Sequence, residues 1–188
     1  MKKHMYTIII GLVVILAVGA FFVRQDSSET ATAALEATAG EIVAGEEAPS
    51  LGSAPETTIQ NADGTEIAFA DVIERNSIVN SWASWCPFCV DELPDFAEFA
   101  AENEGRVDVI VVNRAESIRK GESFLEELGL ADTKMRVFYD EDESLYRGLG
   151  GFSMPETVFI DAEGEIRFHK RGPLRKSDIE QIINNLNW

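Results

Sequence analysis

Apolar residues divide the chain into three unequal stretches. The first, "YTIIIGLVVILAVGAFFV" at 6–23, holds no charge. Eighteen helical residues span about 27 Å, enough to cross a hydrocarbon core. The second, "QDSSETATAALEATAGEIVAGEE" at 25–47, has almost no large apolar side chain. Such a segment cannot bury enough surface to offset its ordering entropy, which predicts a flexible tether over 24–47. From residue 48 onward short apolar runs recur between turn signals, the pattern of a folded domain over 48–188.

Within that domain, "TTIQ" (57–60), the turn "NADG" and "TEIAF" (65–69) predict a β-hairpin. "SIVNSW" (77–82) reads as a short buried strand. From Pro87 to Asn103, Val90, Leu93, Phe96, Ala97 and Ala100 recur at three- and four-residue steps, predicting an amphipathic helix. "VDVIVVN" (107–113) is a continuous apolar run of the kind covered on both faces. A helix over 117–129, a strand over 135–140 and a helical turn over 143–149 follow. The strands 156–161 and 166–170, joined by "AEGE", form a second hairpin, and a helix over 176–188 closes the chain. Strand–helix–strand first and hairpin–helix last predicts an α/β domain, a central mixed sheet flanked by helices.

Charge adds an orientation. Lys2 and Lys3 precede the apolar run, only Arg24 is basic directly after it, and residues 25–47 carry six acids and no base. The positive-inside bias therefore predicts a cytoplasmic N-terminus at 1–5 and a single-pass anchor at 6–23. The domain is then expected at the cell membrane on its periplasmic or extracellular side. A cleaved signal peptide is the alternative, since "AVGA" at 17–20 offers small residues, although the apolar run continues through Phe21, Phe22 and Val23. Residues 48–188 hold 27 acids and 13 bases. That surplus repels phosphate backbones, so nucleic acid is not an expected partner.

Candidate chemistry is confined to "SWASWCPFCVDELP" at 81–94, which contains the two cysteines of the chain, Cys86 and Cys89. Zinc needs three or four protein ligands, and His169 is the one histidine of the domain, far away in a strand pattern. Haem attachment would need histidine at position 90, which is Val. A purely structural disulfide across two residues would remove little unfolded-state entropy. A peroxidase motif, Pro-x-x-x-Thr/Ser-x-x-Cys, is lacking, because Ala83 and Cys86 occupy the hydroxyl positions ahead of Cys86 and Cys89. A redox couple has a positive physical case. Cys86 follows a strand and precedes a helix opened by Pro87, so unpaired N–H groups and the helix dipole favour its thiolate. Cys89, one turn on, can resolve a mixed disulfide held on Cys86.

At these residues the chain resembles the thioredoxin superfamily, and more narrowly the membrane-tethered thiol–disulfide oxidoreductases of the TlpA/ResA type, including the CcmG (DsbE) proteins of cytochrome c maturation. The matching pieces are "VNSWASWCPFC", "ELP" at 92–94, "SMPETVFID" and "AEGEI", and the likeness spans roughly residues 46–188. It implies a thioredoxin fold preceded by the N-terminal hairpin and one transmembrane helix. Pro94 matches the proline that kinks the active-site helix, and Pro155 matches the cis-proline facing the dithiol. The resemblance implies catalytic roles for Cys86, Cys89, Glu92 and Pro155, with Glu92 tuning or relaying the proton. Trp85, Pro87, Phe88 and Met154 would contact substrate, with the Met154 backbone pairing with an incoming strand and Trp82 and Trp85 packing beneath the disulfide. No cofactor is implied beyond the Cys86–Cys89 disulfide itself. Clients would be disulfide-bearing proteins, apocytochrome c first among them, and a membrane thiol reductase would supply electrons. "PET" after Met154 leans towards reduction. A disulfide-forming oxidase or isomerase of the same fold, and a copper chaperone using the two thiolates, are the alternatives.

Two departures from the family pattern stand out. Asn80 replaces the buried Asp that thioredoxins proper place six positions before the first cysteine, which leaves proton handling to Glu92 or water. The loop "GLGGFSMP" (148–155) is longer and richer in glycine than the usual approach to the proline, so substrate selection is expected to differ there.

Overall fold

The computed structural model describes residues 48–188. The expected cytoplasmic N-terminus, anchor and tether at 1–47 lie outside the described residues, and among those described no helix is long and apolar enough to cross a membrane. Seven strands alternate with five helices. In chain order they are β1 (Thr58–Gln60), β2 (Glu66–Ala68), α1 (Phe69–Val72), β3 (Ser77–Trp82), α2 (Pro87–Glu102), β4 (Asp108–Arg114), α3 (Ile118–Glu127), β5 (Arg136–Asp140), α4 (Ser144–Gly148), β6 (Glu156–Ile160), β7 (Ile166–Arg171) and α5 (Lys176–Asn185).

All seven strands share one sheet in the order β2-β1-β5-β4-β3-β6-β7. β3 pairs in parallel with β4 and antiparallel with β6, and β4 pairs in parallel with β5, so the sheet is mixed. β3 is buried at every position and β4 at all but its two end residues, because both faces are covered. Ile78, Val109 and Val111 join one buried cluster with α2 and α5, while Val79, Ile110 and Val112 join the other with α1 and α4.

Two elements differ from the sequence pattern. The β-strand expected over 65–69 ends at Ala68, and Phe69 opens the single turn α1, its N–H bonded to Thr57 O at 2.8 Å and its ring buried. On α2 the buried stripe is Cys89, Glu92, Leu93, Phe96, Phe99 and Ala100, whereas Val90 and Ala97 are only half buried. At 100° per residue, Val90 and Ala97 lie roughly 100–120° round the helix from Phe96, at the margin of the stripe, while Leu93 and Phe99 flank its centre.

Candidate active site

Cys86 is the N-cap of α2, in extended backbone, and Pro87 occupies the first helical turn, where its missing N–H is no loss. The Cys86 carbonyl accepts from the N–H groups of Cys89 and Val90, each at 3.1 Å, and the Cys86 Sγ accepts from Cys89 N–H at 3.3 Å. A disulfide joins Cys86 to Cys89. Both residues are buried in the cluster that holds Trp82, Leu93 and Phe96. The sulfur of Cys86 thus sits at the donor end of a sixteen-residue helix, where backbone N–H groups and the dipole stabilise negative charge.

Glu92 lies one turn beyond Cys89 on the same side of α2 and is 1% exposed. Its Oε1 accepts from Asn80 Nδ2 at 2.7 Å and its Oε2 from the backbone N–H of Leu174 at 2.8 Å. Burial raises its pKa to about 7, against the opposing pull of the Leu174 and Asn80 donors and the Arg175 charge. Asn80 is itself fixed, since its Nδ2 also donates to Thr157 Oγ1 at 3.0 Å. The amide at position 80 therefore steadies the carboxylate at 92, and the acid that titrates near neutrality is Glu92.

A second carboxylate holds the loop that leads into Cys86. Glu116 accepts from Ser84 N–H at 2.8 Å, Ser84 Oγ at 2.6 Å and Asn113 Nδ2 at 3.0 Å, and pairs with Lys120. Burial alone would raise its pKa, but the Lys120, Ser84 and Asn113 donors together hold it down at about 2. Sequence reasoning missed this residue. The visible signal was a lone acid just after the apolar strand β4, and its partner Ser84 is too distant in sequence to be paired with it by spacing.

The two tryptophans of this region separate. Trp82 is fully buried beside the cysteines and stacks on Phe124 with ring centroids 6.2 Å apart. Trp85 is 53% exposed, so the expectation that it packs beneath the disulfide is corrected. Its ring lies instead against the Arg114 guanidinium, 5.7 Å from the ring centre, at the surface end of β4. Phe88, in the first turn of α2, is also exposed, as is Pro87.

Pro155 follows a cis peptide bond with Met154. The register Ser81↔Glu156 sets it beside the end of β3, where the chain enters the cysteine turn, and Met154 packs against the cluster containing Cys86 and Cys89. The loop before it is tied down by Glu156, which is 4% exposed. Glu156 accepts from the N–H groups of Phe152 and Ser153 and from Arg171 Nε at 2.9 Å, with His169 Nε2 at 3.8 Å. Burial keeps the His169 pKa below its ordinary value. Phe152, on the same loop, is 86% exposed. Among the described residues no group of three or more His, Cys, Asp or Glu could hold a metal ion.

A thioredoxin-like sheet with a disulfide capping a helix defines the class, a thiol–disulfide oxidoreductase. The sequence profile of the Redoxin family matches residues 44–183, and the chain belongs to that family. It is 26% identical over 135 residues to the thiol-disulfide oxidoreductase ResA of Geobacillus thermodenitrificans, covering 71% of this chain and 76% of that protein. It is 27% identical over 188 residues to the thiol:disulfide interchange protein HelX of Rhodobacter capsulatus, covering 98% of this chain and 96% of that one. Among solved structures, the exposed lipoprotein thioredoxin Etrx1 of Streptococcus pneumoniae superposes with a TM-score of 0.57 at 26% identity, covering 69% of this chain and 98% of that one.

Proposed function

We propose that the protein is an anchored, extracytoplasmic reductase that passes two electrons from the Cys86–Cys89 dithiol to disulfides of client proteins, apocytochrome c before haem attachment being the first candidate. The observation that carries this reading is the placement of Cys86 at the α2 N-terminus with Glu92, an acid titrating near 7, one turn behind Cys89.

The Cys86 thiolate attacks one client sulfur, and the other client sulfur leaves as a thiolate that takes a proton from water. Cys89 gives its proton to the Glu92 carboxylate and attacks Cys86 Sγ, and the released client sulfur becomes the second thiol. The client gains two electrons and the protein holds the disulfide. A membrane thiol reductase restores the dithiol. Domain support comes from the acidic 48–188 surface, which favours a basic polypeptide over nucleic acid.

Cys89→Ser tests the reading, because it leaves Cys86 able to attack but unable to be released. Mixed disulfides on Cys86 with extracytoplasmic cysteine proteins are expected on non-reducing gels, and none is expected with Cys86→Ser. Direction is tested by the redox potential. A reductase sits at or below the thioredoxin–glutaredoxin range, about −270 to −200 mV, and a value near about −120 mV would mark an oxidase instead.

A further inference from the structure

Arg114 ends β4, and its side chain is only 14% exposed. The guanidinium lies over the ring of Tyr146, 3.9 Å from its centre, and 5.7 Å from the centre of Trp85. Its charge is balanced by Glu143, which precedes α4. Tyr146 in turn lies flush on the backbone of Gly151. A Cβ added at that glycine would fall 2.5 Å from the tyrosine ring, so no side chain fits there. Gly151 begins the run that Glu156 ties down through Phe152 and Ser153 and that ends at Pro155.

These contacts form one continuous stack, Trp85, Arg114, Tyr146 and Gly151. It joins the residue before the nucleophile to the loop beside it. About half of the Trp85 surface faces solvent. A freely turning indole would sweep the space a client backbone has to enter. A planar, permanently charged group is suited to hold an aromatic face in one orientation, and an ammonium on a flexible stem is not.

We infer that Arg114 is a positioning residue for client recognition: lying over both rings, it ties Trp85 to Tyr146 and so fixes the surface beside the cysteine turn, selecting extended polypeptide around a disulfide. This rests on the reading of Cys86 and Cys89 as a client-facing redox couple, and it gives that couple a source of selectivity on this chain's own residues. Arg114 touches no reacting atom in the structure. Its effect passes through Trp85.

The test uses pre-reduced full-length protein mixed with an excess of an oxidised peptide holding two cysteines two residues apart and flanked by aliphatic side chains. Single-turnover rates against peptide concentration give a half-saturating concentration and a limiting rate. Arg114→Met is expected to raise the half-saturating concentration about tenfold and to change the limiting rate less than twofold. Arg114→Lys, which keeps the charge facing Glu143 but loses the plane, is expected to resemble Arg114→Met and not the parent. Trp85→Ala is expected to show the same rise, and adding Arg114→Lys to it no further rise. Recovery of parental behaviour by Arg114→Lys, a fall confined to the limiting rate, or additive losses in the double variant would overturn the inference. If Arg114→Met does not fold, the Lys and Trp85 variants decide it. Failure of the reductase reading looks different. The parent would then not reduce the peptide at any concentration, and the same comparison run with reduced peptide and oxidised protein would decide the role of Arg114.

Discussion

Two buried carboxylates flank the cysteine turn, and their pKa values move in opposite directions. Glu92, behind the disulfide, meets two neutral donors, Asn80 Nδ2 and Leu174 N–H, and its pKa rises to about 7. Glu116, beneath the loop that enters the turn, meets Ser84 twice, Asn113 and the Lys120 ammonium, and its pKa falls to about 2. Neutral donors offset part of the cost of desolvating a carboxylate, whereas several donors with a formal positive charge exceed it. The first arrangement makes a group that can exchange a proton at neutral pH. The second makes a permanently ionised peg that fixes backbone.

The signs of the two linkages follow. Between pH 4.5 and about 7 Glu92 is ionised in the unfolded chain but still protonated in the folded one, so folding takes up a proton and stability falls as pH rises through that window. A rise from 4.5 to about 7 amounts to about 3 kcal/mol, fully present as a penalty above pH 7. Glu92→Gln is expected to abolish this decline, seen as a urea midpoint that no longer falls from pH 5 to pH 8 while the parent loses stability. A parent already flat over that range would break the contrast.

Glu116 has the opposite linkage. Its stabilising ionisation is complete above pH 4.5 and is lost as pH falls towards about 2. At pH 7, Glu116→Ala leaves Ser84 N–H and Oγ without their acceptor and is expected to destabilise by about 2 kcal/mol. Urea denaturation measures it, and amide exchange at Ser84 should accelerate with it. Acid sensitivity between pH 4.5 and 2 should be blunted in Glu116→Gln.

The smallest expected effect sharpens the Glu92 side. Asn80→Ala removes one of the donors that lower the Glu92 pKa, so the Glu92 midpoint should move upward and the pH-dependent decline should shift to more alkaline values. The accompanying loss of stability is expected to be about 1 kcal/mol, from the hydrogen bonds given up. A downward shift would mean that Asn80 does not hold the carboxylate form.

The sequence pattern is most legible where structure is local or repetitive. Strand Ser77–Trp82 appears with the expected bounds, because a short strand covered on both faces is marked by its large apolar residues, here Ile78, Val79 and Trp82, and the helix beginning at Pro87 is marked by its own first residue. The cysteine spacing names Cys86 and Cys89 directly, whereas Glu92 enters through the family resemblance. Pairings over long separations are not legible in this way. Glu92 meets Leu174 across 82 residues and Glu116 meets Ser84 across 32, and spacing cannot anticipate either. Trp85 was expected below the disulfide from the family resemblance; instead it is half exposed, against the guanidinium of Arg114, a partner 29 positions on that spacing does not reveal.

What most distinguishes this site from an ordinary buried acid beside a disulfide is the titration of Glu92 in the neutral range. Carbon-13 NMR of the Glu92 side-chain carboxyl, followed from pH 3 to pH 9 in the oxidised protein and assigned with Glu92→Gln, measures it directly. A midpoint near 7 is the predicted result. A midpoint near 4.5, the ordinary value for glutamate, would contradict the account.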